Sequence, residues 1–486
     1  FRQNVFVLYE PYSDKLNGRG RYLKIFYWSL TMNTASIPLG NDRRINLWRF
    51  NQVMLLALAS AASPRVLALN TGTDLNLSAK PIAGGMAGAA YTKPQEVSAA
   101  LFGNPATLTQ FKGFNFGLGA AILEPDVDNY QSNNGFTNRS HSLAQNYIAP
   151  DVALSGEVLP GFVVGAGVGV DSGLGADYRT HPINAGAGLG LGGAGLGGAA
   201  TLPLDVELLS FSANVGAAYE VTPDLSLGAA LTVGFGLGQF GTVGNTTGLA
   251  GLSGDFGGTT SSVHDISIRG ALGATYQLTQ DVKLGASIKT PLQYHYQNVL
   301  STTVGGSQAY QDVKLEQPLE VTWGIAANAT PNLLLEADVA WKNWSKSSLY
   351  KDVYKDQFLA MLGGQYSLGN WQFRSGYSYA SKLLRDEPNG TVGGFTGVGT
   401  LPLDTSVPGV LNSNDLIKVV QTTLGPVVWE HTVTAGVGYA FTPKFRLDSF
   451  AAYAFEGTAD RSTLALGDYH VNASEWALGA GANFKF

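Results

Sequence analysis

Five tight turns recur along the second half of the chain, and each separates two runs in which apolar and polar residues alternate. They are Thr222-Pro223-Asp224, Thr279-Gln280-Asp281, Thr330-Pro331-Asn332, Leu368-Gly369-Asn370 and Thr442-Pro443-Lys444. Between one tight turn and the next lies a longer, polar, Gly-rich stretch. Short turn, long loop, short turn is the rhythm of an up-and-down antiparallel barrel with two unlike ends. In a bilayer only helices and closed barrels satisfy every backbone hydrogen-bonding group, so this rhythm bears on location as well as on fold.

The charges keep to one parity along each run. From Leu333 the odd positions Leu333, Leu335, Ala337, Val339 and Trp341 are apolar, while Glu336, Asp338 and Lys342 are charged. Trp371, Phe373, Tyr377 and Tyr379 stand against Gln372, Arg374 and Ser378, and Ile266, Ile268, Leu272 and Tyr276 against Asp265, Ser267 and Arg269. A soluble sandwich also alternates, with its apolar face turned to a core. Two features favour a membrane wall instead. Aromatic residues collect near strand ends, as interfacial girdles do, and loop lengths alternate between the two edges.

Composition fits this reading. Only 14% of residues are charged, against about 25% in an average soluble domain, and the 62 glycines exceed the usual share of about 7%. No apolar run reaches the 18 or so residues of a membrane-spanning helix. A net charge of −6 with no basic stripe argues against a nucleic-acid partner. The chain has no cysteine, which excludes disulfides and thiolate metal sites.

The pattern predicts an all-β fold: a transmembrane antiparallel β-barrel of about fourteen strands. Strands are expected to begin near Phe114, Asn146, Gly161, Val206, Leu225, Val263, Val282, Leu319, Leu333, Gln357, Trp371, Thr432, Phe445 and Ala473. The outer loops are expected at 126–144, 179–204, 241–262, 297–317 and 383–429, with a shorter one at 457–471. The last strand ends the chain on Phe486 in the outward register, which resembles the C-terminal assembly signal of outer-membrane barrels.

Two segments fall outside the barrel pattern. Residues 1–68 read as an upstream stretch and signal peptide: Arg43, Arg44 and Arg49 precede an apolar core at 53–62, and Val66-Leu67-Ala68 carries residues of the size a signal peptidase reads. Residues 69–113 are rich in Gly and Ala with one Asn-Pro break, and they precede a barrel at 114–486. A barrel of this width is not filled by its own wall, so it either leaves a channel or needs a plug. The segment 69–113 is expected to be that plug, a hatch in the lumen.

At these residues a resemblance emerges. Gly88-Ala89-Ala90-Tyr91, Asn104-Pro105-Ala106 and Glu124-Pro125-Asp126, followed by Gly216-Ala217-Ala218-Tyr219, Trp341-Lys342-Asn343-Trp344-Ser345 and Gly436-Val437-Gly438-Tyr439, resemble in order and spacing the FadL family of outer-membrane fatty-acid and hydrocarbon transporters. The likeness spans roughly residues 69–486. It implies a fourteen-stranded barrel plugged by an N-terminal hatch, in the bacterial outer membrane, probed by outer-membrane lipids on its outside. It also implies uptake of a hydrophobic small molecule by passive diffusion, with lateral exit beside a kinked third strand. Binding by apolar burial, about 0.8 kcal/mol per methylene, would read chain length more than head group.

Carried over by position, Asn104, Pro105 and Ala106 match the hatch motif near the wall gap. Gly173, within Asp171-Ser172-Gly173-Leu174-Gly175, falls where the kinked strand is expected; its alternative is a glycine that merely lightens a strand. Leu69 would begin the mature chain, near the pocket. Of the lumenal cations Arg269, Lys283, Lys289, Arg374 and Arg446, structural pairing with inward carboxylates is expected before ligand binding. The six histidines lack metal spacing, and Gly188, Gly190 and Gly193 imitate a dinucleotide fingerprint with no helix to follow. No catalytic constellation, metal site or cofactor is expected, and the barrel is taken as a monomer. The alternative function is a general or substrate-specific porin with a water-filled channel.

Overall fold

The computed structural model describes residues 36–39, 43–46, 75, 77–133, 136–184, 201–202, 204–242, 263–304, 307–386, 388, 397–398, 401–402, 413–426, 428–463 and 467–486. The chain divides into two units, Phe1–Leu55 and Leu56–Phe486. Of the first, two short strands, Ser36–Leu39 and Arg43–Asn46, pair antiparallel. The apolar core at 53–62, Leu69 and the Gly-rich run 186–198 lie outside the described residues.

The second unit is built on fourteen wall strands. They are β1 (Phe114–Asn133), β2 (Tyr147–Leu159), β3 (Phe162–Asp177), β4 (Leu204–Glu220), β5 (Leu225–Thr242), β6 (Val263–Gln277) and β7 (Val282–Lys289). There follow β8 (Glu320–Thr330), β9 (Leu333–Lys342), β10 (Gln357–Leu368), β11 (Trp371–Ala380), β12 (His431–Thr442), β13 (Phe445–Ser462) and β14 (Asp468–Lys485). Each pairs antiparallel with its sequence neighbours, and β14 closes on β1 from Asp468↔Ser132 to Lys485↔Asn115. Joining the last strand to the first closes the sheet into a ring, the arrangement a barrel must adopt in lipid.

The parity read from the sequence is the parity of the wall. Ile266, Ile268, Leu272, Leu335, Val339, Trp371, Phe373, Trp476 and Leu478 are exposed, whereas Arg269, Glu336, Asp338, Arg374 and Asp448 are buried. Apolar outside and charged inside inverts a soluble protein and matches a lipid-facing surface. The tight turns lie on one rim, where for example the N–H of Leu225 donates to Thr222 Oγ1 at 3.0 Å.

Above the wall the loops are more ordered than expected. β1 continues past residue 126 and pairs with an added strand, Phe136–His141. The stretch 297–317 belongs to a hairpin, Leu292–Val304 with Ser307–Gln317, that pairs with itself apart from the wall. The expected loop at 457–471 is instead a continuous ladder of β13 with β14, up to Ser462↔Asp468. Beyond the bilayer both faces of a strand meet water or protein, so the period-2 signal fades although backbone pairing continues. Helix α2 (Ser413–Thr423) lies within the connection between β11 and β12.

Inside the ring of strands, Leu77–Phe111 forms a compact stack. Its elements are 3-10 turns at Leu77–Ala79, Ala83–Met86 and Pro105–Gln110, and the short helix α1 (Val97–Phe102). Inward glycines of the wall are its sockets. Gly228 and Gly273 abut Pro105-Ala106, Gly363 and Gly376 abut Met86, and Gly285 and Gly324 abut Thr92, so a side chain at any of these positions would collide with the stack.

Candidate functional site

The lumen holds two environments. At the level of the stack it is polar and tightly bonded. Asn104 caps the turn Pro105–Gln110, its Oδ1 accepting from the Ala106 N–H at 3.2 Å. Its Nδ2 donates to Tyr91 O at 2.9 Å and to Ala274 O of β6 at 3.3 Å. Glu336 of β9 accepts the N–H groups of Thr92 and Lys93 at 2.7 and 2.9 Å, and Asp338 accepts that of Tyr91 at 3.1 Å. Arg446 Nη2 donates to Gln95 O at 2.8 Å. Within the stack, Glu96 accepts the N–H groups of Ile82 and Ala83 at 2.9 and 2.8 Å. Burial, then the nearby Asp151 carboxylate, push the Glu96 carboxyl up to about 7 against the pull of those two donors.

Several charged side chains in the lumen pair with one another. Lys80 Nζ lies 2.6 Å from Asp151, Lys289 and Lys342 lie 2.9 and 3.1 Å from the two oxygens of Glu320, and Arg374 and Arg446 lie 2.9 and 2.8 Å from those of Asp448. Arg269 of β6 pairs with Asp171 of β3 at 2.5 Å. Four of the five cations singled out in the sequence are therefore engaged by carboxylates.

Further toward the long loops the lumen turns apolar. Leu123, Val127, Leu208, Leu209, Leu315 and Trp429 belong to one buried cluster with the tyrosines of the hairpin. An aromatic group continues it: Trp344 meets Tyr350 and Tyr354 edge-on at 5.0 and 5.7 Å, and those two tyrosines stack at 5.2 Å.

The wall is interrupted beside this apolar region. Pairing of β2 with β3 stops at Asp151↔Gly169. Pro150, which has no N–H to give, is the first position of β2 beyond it, and residues 147–150 pair only with β1. On the β3 side the register with β4 shifts between Val170 and Ser172, and from Val170 to Asp177 every residue is buried, whichever way its side chain points. Along this stretch the strand keeps its ladder with β4 but is displaced from β2. Above the break the edges rejoin, with the Leu143 N–H donating to Asp177 O at 2.8 Å. Leu75, just before the stack, meets this strand: its N–H donates to Asp171 O at 2.9 Å.

Gly173 stands within the displaced stretch and lines a narrow, closely packed crevice with Leu174, Leu208, Leu209, Ser210, Tyr296 and Tyr350. Asn104, Pro105 and Ala106 are elsewhere. They pack at Gly228 of β5, whereas Gly173 is level, through Leu209, with Leu237 of that strand. Nine residues separate those levels, roughly 30 Å along a strand. Among the described residues one group of three could hold a metal, Asp126, Asp128 and His141 on the outer rim, but Arg139 Nη2 already lies 2.7 Å from Asp128.

The family model described as outer membrane protein transport protein (OMPP1/FadL/TodX) matches residues 66–390. The chain belongs to this family. The FadL/TodX barrel architecture is shared with solved structures of low identity. The Pseudomonas putida toluene transporter TodX is similar at 19% identity and TM-score 0.60, over 85% of this chain and 99% of that one. A Pseudomonas aeruginosa FadL homologue is similar at 13% identity and TM-score 0.61, over 86% and 100%. The Ralstonia pickettii toluene transporter TbuX is similar at 22% identity and TM-score 0.56, over 85% and 99%. A search of curated proteins finds no significant match. The chain is thus an outer-membrane β-barrel of a FadL/TodX family that transports hydrophobic compounds.

The sequence reading missed the hairpin tyrosines Tyr294 and Tyr296. A signal for them exists: Gly234, Gly236 and Gly238 alternate on the inward face of β5, and Tyr-x-Tyr at 294–296 has the same period, so large groups on one segment complement missing groups on another.

Proposed function

We propose that the barrel takes up small, uncharged hydrophobic compounds, releasing them sideways through the break between β2 and β3. The stack Leu77–Phe111 acts as a hatch that closes the end bearing the tight turns. The observation that carries this reading is the interrupted ladder at Asp151↔Gly169, beside a narrow crevice that contains Gly173 and is lined by Leu174, Leu208, Leu209 and Leu315 together with Ser172, Ser210 and Gln317. A hydrophobic molecule there can leave into the bilayer without crossing the polar, hatch-filled level below. Diffusion down a gradient suffices, because the free energy lost on leaving apolar surroundings is regained in lipid.

Charge balance supports a neutral substrate over a fatty acid. A carboxylate needs a cation, and Arg269, the cation joined to the displaced strand, is held by Asp171. Solved structures of similar fold are described as toluene transporters and as a monoaromatic hydrocarbon channel, in keeping with that preference. Asn104, Pro105 and Ala106 serve this function as the anchor of the hatch to β6, and Leu69 as the start of the segment leading into it.

Uptake of toluene and of oleate by cells with and without the protein tests the reading. Protein-dependent toluene uptake that exceeds oleate uptake is expected. Uptake of neither overturns it, and large steady ion currents from the purified barrel in planar bilayers would show a water-filled porin instead.

A further inference from the structure

The hairpin Leu292–Val304/Ser307–Gln317 lays two rings on the inner face of the wall. Tyr294 and Tyr296 are buried and stack with centroids 5.9 Å apart and planes inclined by 20°. They rest on β5 where it has no side chains. A Cβ on Gly236 would sit 2.8 Å from the Tyr294 ring, and one on Gly238 would sit 3.2 Å from the Tyr296 ring. The result is a flat slot: glycine backbone for a floor, the face of Tyr294 for one wall, and Leu315 and Leu209 in the same crevice.

The two tyrosines are held differently. Tyr294 Oη lies 2.5 Å from Ser210 Oγ of β4, which ties that ring to the wall. Tyr296 rests on the stack and the glycine floor. It stands at the edge of an irregularity, because the hairpin register shifts between Tyr296 and Leu300, and Asn298 within that bulge has φ of 52°. The hairpin shares no ladder with the wall strands, and beside Tyr296 the His295 N–H donates to Asp265 Oδ2 of β6 at 2.7 Å.

We propose that the slot filled by Tyr296 is a binding site for a single aromatic ring, and that Tyr296 is its internal occupant, displaced by substrate. The inference rests on the transport reading and narrows it to monoaromatic compounds. A ring gains from the slot what an aliphatic chain does not: offset stacking on Tyr294 and close approach of a flat face to backbone. The slot borders the crevice that contains Gly173, so a ring placed there lies next to the displaced part of β3.

Calorimetric binding of toluene and of methylcyclohexane to the purified full-length barrel in detergent tests this. Tyr296→Ala removes the occupant and is expected to bind toluene about tenfold more tightly than wild type, the upper end for one aromatic contact, with a smaller gain for methylcyclohexane. Tyr296→Phe keeps the ring and is expected to match wild type. Adding Gly238→Ala to Tyr296→Ala raises the floor and is expected to abolish the gain. Tyr296→Leu, closer in bulk, gives a second reading should the alanine variant not fold, and is expected to tighten toluene binding severalfold. Toluene affinity unchanged by loss of the ring, or an equal gain for both ligands, overturns the slot. Wild-type barrel that takes up toluene while these variants bind it alike leaves transport standing and the slot refuted; wild type that takes up no toluene refutes transport itself.

Discussion

Asp171 on β3 and Arg269 on β6 form an ion pair across the lumen, with side chains only 4% and 7% exposed. The pair sits at the residue where the β3–β4 register breaks, between Val170 and Ser172. It therefore ties the displaced part of β3 to β6, three strands along the wall, and it removes from the path a cation that would otherwise attract carboxylates.

Breaking this pair from one side should be costly. Asp171→Asn leaves a buried guanidinium without its carboxylate, a loss of about 3–5 kcal/mol. Chemical unfolding of the single variant and of Asp171→Asn/Arg269→Gln checks it. The double variant is expected to be the more stable of the two, and equal destabilisation would rule out a direct coupling.

Asn104→Ala removes the bonds to Tyr91 O, Ala274 O and the Ala106 N–H, leaving buried carbonyls unmet at about 1–3 kcal/mol. Faster amide hydrogen exchange is expected across Leu77–Phe111, with the wall strands unchanged. Exchange that rises equally in wall and stack would mean that Asn104 supports the whole barrel and not the seating of the stack.

Gly376→Leu places a side chain where the Met86–Ala87 backbone lies. The stack cannot seat against β11, while the outward face of that strand is untouched. Planar-bilayer recordings should show steady conductance for this variant and little for wild type. A silent variant would mean that something other than the stack seals the lumen.

The buried Glu96 makes stability depend on pH. Its carboxyl rises from 4.5 to about 7 in the folded state, so the folded form holds its proton more tightly than the unfolded form. The stabilisation is complete below pH 4.5 and is lost as pH rises through 7, by roughly 3 kcal/mol in all. Asp151 and Asp448 add to the rise. Unfolding midpoints measured from pH 4 to 8 should fall more steeply for wild type than for Glu96→Gln; parallel curves would assign the dependence to other groups.

Much of the wall was legible. From Leu333 to Lys342 every odd position is apolar and all three charges fall on even positions, and β9 occupies that span. The displaced strand was legible only in part: glycine at 173 suggested a kink, whereas the register shifts at Asp171 and pairing with β2 ends at Pro150. A local pattern shows where a strand can bend, but which ladder bond is lost depends on the neighbour's proline. Inward charges could be named but not partnered. Arg374 of β11 and Asp448 of β13 meet over the intervening β12, where the missing side chain of Gly438 leaves room for both.

The sequence by itself determined the barrel: its strands, their outward faces and the alternation of short turns with long connections. Each strand meets lipid on one side, and that demand imposes a period of two on its own residues. Tertiary structure decided what the lumen contains. The bond from Tyr91 to Asp338 joins residues 247 positions apart, and the fit of Tyr296 over Gly236 and Gly238 depends on a loop folding inward. Contacts of that kind exist only once the barrel has closed, so no local period records them.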